Sequence, residues 1–418
     1  MRRIIATLSL VFLCSASAYS SGFSIYEASV RANGMLGAFS AYANHVSTIF
    51  YNPAGLAGLD GFRFSGGVSI IAPRSSFRNL SPLAPAGQKT VMEEQNFLVP
   101  NMYASYQVAE GLTVGLGIYA PFGLGSKWPA DWVGRGSSIE ANVQTLFANP
   151  AIGYKLPDLG IGEIKIGAGL RVAFHGTVKL SRAVQNFTPE GTFAMEGELK
   201  EPAYGFNAGI LYEPVENVTL GFTYRSEVTV AFEGDAEFNN LPVGFPAGGT
   251  QGSAEITLPA SYVIALNVEP IGGLTTELDY VWFGWSSYDE LTITFDQPIV
   301  ALGGNSITSV RNFKDSWQLR FGAEYSKIPV EGLTVRAGIG FDKNPIRERY
   351  VDPTLPDADR WEYSVGLTYS LTDYLDIDAS YIFIRANQRK VTNTYEGGID
   401  GVYTTYANIP GLGISLQF

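Results

Sequence analysis

The chain has 418 residues, a formal net charge of -12 and a single cysteine, Cys14. The acidity argues against nucleic-acid binding, whose footprint is a basic patch, and one cysteine rules out a disulfide framework and a Cys-based metal centre. The 46% hydrophobic content rests on 25 Phe and 23 Tyr beside 47 Gly and only 5 Met, a mixture that points to β-structure.

Residues 1–20, "MRRIIATLSLVFLCSASAYS", begin with Arg2 and Arg3, run apolar from Ile4 to Leu13 and end in small residues. This reads as a secretory signal peptide cut after Ser20, with Ala18 as the competing position; the apolar run is too short to span a bilayer as a helix. Leu13 before Cys14 is the wrong residue for a lipidation signal. Losing Arg2 and Arg3 lowers Lys plus Arg from 28 to 26 against 40 Asp plus Glu, so the net charge becomes -14.

Residues 21–60 break every strand rhythm. They mix small residues with "YNPAGLAGLDG", in which Asn52-Pro53 starts a turn and Pro53 lacks an amide hydrogen. Ahead of a β-barrel such a segment is either a plug within the lumen or a periplasmic extension, and pattern alone does not choose.

From residue 61 the chain alternates apolar and polar residues in segments split by turns. We read strands at 61–73, 96–108, 111–122, 139–155, 162–180, 203–213 and 217–233, then at 253–269, 273–290, 311–327, 332–344, 359–371, 374–391 and 400–418. Fourteen is an even number, which lets an antiparallel wall close with no unpaired edge, as a bilayer requires. Short turns such as "AEGL", "PVENV" and "PIGGL" alternate with long stretches at 74–95, 123–138, 181–202, 234–252, 291–310 and 345–358, read as outer loops. The final "GLGISLQF" puts Leu412, Ile414, Leu416 and Phe418 on one face and ends on an aromatic residue. The expected architecture is an all-β transmembrane antiparallel barrel of about 14 strands over 61–418.

Catalytic and metal motifs are weak. "GLGIYA" at 115–120 matches a dinucleotide fingerprint in letters, but Pro121 stands where a helix would start and no βαβ unit surrounds it. His45 and His175 are the only histidines and belong to no nucleophile or ligand motif, and GxSxG does not occur. Acidic stretches such as Asp289-Glu290 read as solvated loop charge rather than a calcium site. No enzyme activity, cofactor or metal is expected.

Several segments resemble the FadL and TodX type of outer-membrane transporters for long-chain fatty acids and other hydrophobic compounds. They are "SGFSIYE", "YNPAGLAGLDG", "YAPFGLGSKWPADWVGRGSSIE", "YGFNAGILYEP", "FTYRSEVTVAFEG", "ITLPASY", "NFKDSWQLRFGAEY" and "LPDADRWEYSVGLTYSL", in the family's order. The resemblance implies a hatch over 21–60 with Asn52, Pro53 and Ala54 at its base, and a kinked third strand that opens the wall sideways. In that strand Gly115, Gly117 and Pro121, followed by Phe122 and Gly123, are expected to weaken the ladder.

For a ligand head group the resemblance points to Lys314 in "FKD", which could equally pair with Asp315. An arginine expected on the fifth strand has Arg171 or Lys179 as imperfect matches, which leaves uncharged aromatic hydrocarbons open as ligands. The expected partners are hydrophobic small molecules, outer-membrane lipid and lipopolysaccharide, around a monomer in the outer membrane of a Gram-negative bacterium. General porin and adhesin barrels are the other readings of the same architecture.

Overall fold

In β12 (Arg360–Thr372), Trp361, Tyr363, Val365, Leu367 and Tyr369 are exposed, whereas Arg360, Glu362, Ser364 and Thr368 are buried. Apolar side chains outside and polar ones inside invert the rule for soluble proteins. The arrangement is stable only where the outer face meets hydrocarbon and the inner face meets polar partners.

The structure, a computed structural model, describes residues 22–185, 190–392, 394–395 and 399–418. The signal-peptide reading of residues 1–20 lies outside the described residues.

The strands in chain order begin with β1 (Phe62–Asn79), β2 (Phe97–Ala109), β3 (Leu112–Tyr119 and Gly123–Lys127), β4 (Glu140–Lys155) and β5 (Glu163–Val184). Next come β6 (Gly191–Leu199 and Ala203–Val215), β7 (Val218–Arg225 and Val228–Asn239), β8 (Thr250–Leu258 and Ser261–Ile271) and β9 (Leu274–Phe283 and Glu290–Ile299). The ring is completed by β10 (Gly304–Val310 and Ser316–Tyr325), β11 (Leu333–Asp342), β12, β13 (Leu375–Ala386) and β14 (Gly401–Gln417). Each pairs antiparallel with the next, and β1 pairs with β14 from Arg63 opposite Gln417 to Asn79 opposite Gly401, which closes a 14-stranded barrel. No helix among the described residues is long and apolar enough to cross a membrane.

One end of the barrel is tied by tight turns. Gly111 and Asn217, with φ of 70° and 68°, supply the left-handed residue that a two-residue reversal needs. At the other end several stretches expected as loops are strand instead. Gly191–Leu199, Glu290–Ile299 and Gly304–Val310 extend the wall, and β7 runs on to Asn239. Their faces carry Glu196, Glu233, Asp235, Thr292 and Thr308 rather than a lipid stripe, so the membrane pattern fades while the ladder continues.

Residues 22–59 hold two single-turn helices, α1 (Val30–Asn33) and α2 (Thr48–Tyr51), and a 3-10 helix over Pro53–Gly58. Nearly all of them are buried. They bond to opposite sides of the wall: Asn33 to Ser69 of β1, Tyr51 to Thr223 of β7, Ala41 to Glu277 of β9 and Arg31 to Asp376 of β13. The segment is thus bonded to strands on several sides of the ring.

Candidate functional site: an apolar chamber beside a broken strand

The lower lumen is polar because it must satisfy the backbone of an irregular segment. Glu277 accepts the N–H of Ala41 at 2.9 Å and that of Tyr42 at 2.5 Å, and Arg225 Nε donates to the Phe50 carbonyl at 3.1 Å. Arg31 bridges Asp376 (2.6 Å) and Asp378 (3.0 Å). Leu36 and Ala43 are held at φ of 57° and 41°, a conformation that persists only where the surroundings over-determine it.

Asn52, Pro53 and Ala54 meet the wall at β5 and β6. Asn52 caps the 3-10 helix by accepting the Ala54 N–H (3.1 Å), and its Nδ2 donates to the carbonyls of Ser40 (2.8 Å) and Ile210 (3.3 Å). Pro53 occupies the first helical position, where its missing N–H costs nothing. A Cβ at Gly209 would lie 2.0 Å from Asn52 Oδ1 and one at Gly167 2.3 Å from the Pro53 carbonyl carbon, so bare glycines let the turn sit against the sheet.

Above this packed region β9 and β10 leave the wall together. Their pairing stops at Phe283 opposite Ser316 and resumes at Glu290 opposite Val310. The excursion packs Trp285 and Tyr288 onto Phe23, whose ring centroid lies 4.6 Å from Trp285 and 5.5 Å from Tyr288 in edge-to-face geometry, with Phe313 against both.

This aromatic group adjoins a chamber with about 640 Å³ of empty space including its mouth. Its walls include Leu124, Val143, Val178, Met195, Phe232, Ile256 and Leu355, and among the described residues Arg311 is the one charged residue lining it. Arg311 is paired with Asp352. Cavities of about 460 and 510 Å³ adjoin the chamber through Arg311 and Thr354, and Arg182 lines both. Arg182 stands 5.9 Å over the Phe193 ring and has no carboxylate within ion-pair distance among the described residues. The chamber presents an apolar lining, and its approach carries positive charge.

The expected head-group residues lie elsewhere. Lys314 is half-buried outside the chamber lining, with its backbone N–H on the Pro345 carbonyl (3.0 Å); Asp315 accepts the Ser286 N–H instead of pairing with it. Arg171 is fully buried below, donating to the Ser226 carbonyl (2.9 Å) and stacking over Phe147. Lys179 pairs with Glu196 at 2.6 Å. Sequence reasoning missed Arg311 and Arg182; the nearest available signal was Arg311 three positions before Lys314 in "VRNFKD".

The third strand carries a discontinuity, though not where the glycines are. Gly115 and Gly117 are paired on both sides, with Ser105 and Tyr103 of β2 and with Ala151 and Asn149 of β4. They correct the expectation for those two positions: their missing side chains make room for Ile49 and for the Tyr103 ring, and the ladder runs through them. It stops on the β2 side at Tyr119 opposite Asn101.

At Pro121 to Gly123 the strand pairs instead with the N-terminal segment. Ile25 N–H donates to the Pro121 carbonyl (2.7 Å), Gly123 N–H donates to the Phe23 carbonyl (3.0 Å), and Ser24 bridges Phe122. Gly123–Lys127 then pairs with β4. Between Asn101 and the bond from Glu93 N–H to the Lys127 carbonyl (2.8 Å), β2 has no ladder to β3. Phe97, Val99 and Ala120 border that interval with Ile25 packed behind them.

Known proteins give the same architecture. A Pseudomonas aeruginosa FadL homologue of known structure aligns with a TM-score of 0.82 at 20% identity, over 95% of this chain and all of that one. The Pseudomonas putida toluene transporter TodX gives 0.73 at 16% identity, over 96% of this chain and all of TodX. By sequence, a putative outer membrane protein of Neisseria meningitidis is 26% identical over all of this chain and 99% of its own length. A long-chain fatty acid transport protein of Shigella flexneri is 26% identical over 91% of each. The family model for the outer membrane protein transport proteins (OMPP1/FadL/TodX) matches residues 11–418. The chain therefore belongs to that family of outer-membrane transport channels, whose members are not enzymes.

Proposed function

We propose that the protein carries hydrophobic compounds with an anionic head group, long-chain fatty acids being the model substrate, from the cell exterior into the outer membrane. The ligand tail enters the chamber, where each buried methylene contributes about 0.8 kcal/mol, and the head group lies toward Arg182 and Arg311. The relative named for long-chain fatty acid transport supports this choice. Residues 22–60 act as the hatch.

The observation that carries the reading is the interval between β2 and β3, next to the chamber and covered from within by Phe23 to Ile25. Phe23 and Leu124 line the chamber, and both adjoin the bent residues of β3. Withdrawing Phe23 to Ile25 connects the chamber to the interval, and a greasy molecule gains by leaving into lipid rather than water. A general porin needs an open water path, which residues 22–59 occupy. An uncharged aromatic hydrocarbon is the second reading, favoured by the neutralisation of Arg311 by Asp352.

The test is uptake of radiolabelled laurate by cells that lack their own transporter. Replacing Ala120, Pro121 and Phe122 by Val, Thr and Val restores a backbone donor and strand-forming side chains across the interval. Uptake should fall at least about tenfold while binding to the purified barrel persists. Undiminished uptake would remove the lateral route.

A further inference from the structure

Directly behind one chamber wall lies a group of buried charges that substrate binding does not use. Arg360 donates to Glu362 at 3.0 Å, to Asp357 at 3.4 Å and to Asp342, and all four side chains are buried. Glu27 of the N-terminal segment and Arg320 of β10 face the same group. Gln318 bonds Asp342 at 2.8 Å, and Arg389 donates to the Asp357 carbonyl at 2.8 Å. Asp359, on the same loop, is already neutralised by Lys343 at 2.5 Å.

Four carboxylates, Glu27, Asp342, Asp357 and Glu362, face three arginines, Arg320, Arg360 and Arg389, an excess of negative charge that burial makes costly. Among the described residues, two of their oxygens, Asp342 Oδ1 and Asp357 Oδ2, find no donor, although the residues are only 1% and 4% exposed. An ionised oxygen left that way is penalised more heavily than a protonated carboxyl, which buries no charge. Burial foremost, opposed by Arg360 and reinforced by Asp342, pushes the Asp357 carboxyl up to about 7.

Asp357 also ends a strap that touches both the chamber and the broken strand. Along residues 352–357, Asp352 pairs with Arg311, and Thr354 and Leu355 line the chamber. Trp128 Nε1 donates to the Pro353 carbonyl at 3.0 Å, and Ser126 Oγ on the outer part of β3 donates to the Thr354 carbonyl at 3.0 Å. Displacing Asp357 therefore shifts a chamber wall and the anchor of Gly123–Lys127 together.

We propose that Asp357 is a proton-operated positioning residue: protonated, it lets the 352–357 strap close the chamber wall, and ionised, its buried charge and its repulsion by Asp342 loosen the strap and weaken ligand binding. The proposal rests on the chamber being the ligand site. Because the folded-state value is raised, the closed strap is fully favoured below the ordinary carboxylate range, and that preference is lost as pH rises through about 7. The protein thus holds its ligand more tightly in mildly acidic surroundings and releases it more readily in alkaline ones.

The experiment is equilibrium binding of radiolabelled 1-dodecanol, which carries no titrating group, to the full-length barrel between pH 5.5 and 8.5. The dissociation constant of the unaltered protein should rise at least about threefold across this range. Asp357→Asn should hold the tight value throughout, while Asp359→Asn should keep the original slope. Asp357→Glu should restore a pH slope with a moved midpoint, which separates titration from damage to the fold.

A flat profile in the unaltered protein, or an unchanged slope in Asp357→Asn, would overturn the proposal. If dodecanol binds at no pH, the chamber reading fails and takes this proposal with it; binding without a slope removes the proton role alone.

Discussion

Arg225 Nε donates to the main-chain carbonyl of Phe50 at 3.1 Å, and the same guanidinium lies 4.4 Å from the centroid of the Phe50 ring. A wall cation thereby holds both the backbone and the side chain of the N-terminal segment. Arg225→Met keeps the apolar stem but leaves the Phe50 carbonyl buried without its donor, at a cost of roughly 1–3 kcal/mol. The barrel should still assemble and keep its heat-resistant mobility in gels, while protease cuts within residues 22–60 become faster. Unchanged protection of the segment would show that the contact does not restrain it.

Asn52 satisfies the Ala54 N–H and two carbonyls at once. Asn52→Ala should therefore loosen the Asn-Pro turn by roughly 1–3 kcal/mol and lower laurate uptake while the barrel remains folded. Gly209→Ala should do the same from the wall side, since its Cβ would lie 2.0 Å from Asn52 Oδ1. Full uptake with an intact barrel in both variants would count against a hatch role for this turn.

Arg182 lines both cavities that adjoin the chamber and lacks a carboxylate partner among the described residues. Arg182→Gln should weaken laurate binding roughly tenfold, the worth of one charge-assisted hydrogen bond, and leave 1-dodecanol binding unchanged. Equal losses for acid and alcohol would make Arg182 a wall element rather than a head-group contact. No loss for either would favour uncharged hydrocarbons as the ligand.

Two aspartates of one loop respond to pH in opposite senses. Burial alone would raise Asp359, but the hydrogen bonds from Lys343 and Asn344 outweigh it and hold the carboxyl below its usual range. Its stabilising contribution is present above the ordinary carboxylate value and is lost as pH falls through the lowered one. Asp357, raised to about 7, contributes most in acid and loses its contribution as pH rises through that value. Amide exchange in residues 343–359, corrected for its intrinsic pH dependence, should be slowest near about pH 4 and should quicken steadily as pH rises toward about 7. Asp359→Asn should flatten the acid side alone.

The sequence by itself determined the class of architecture. Its period of two, with Trp361 to Tyr369 apolar on alternate positions, fixes which face meets lipid, and fourteen such segments with short turns at one end close a ring. The Asn-Pro turn was legible for the same local reason, because Pro53 lacks a donor wherever it is placed.

What only the tertiary structure decided depends on neighbours distant in sequence. Gly115 and Gly117 looked like ladder breakers, yet they admit Ile49 and Tyr103, while the interruption arises where Pro121 to Gly123 exchange β2 for Phe23 and Ile25 as partners. Lys314 and Arg171 carried the expected charge, but the paired excursion of β9 and β10 brings Arg311 to the chamber instead. Alternation records which way a side chain points in a strand. It does not record which strand lies opposite or where two strands leave the sheet together, and in this barrel those long-range pairings shape the chamber and its opening.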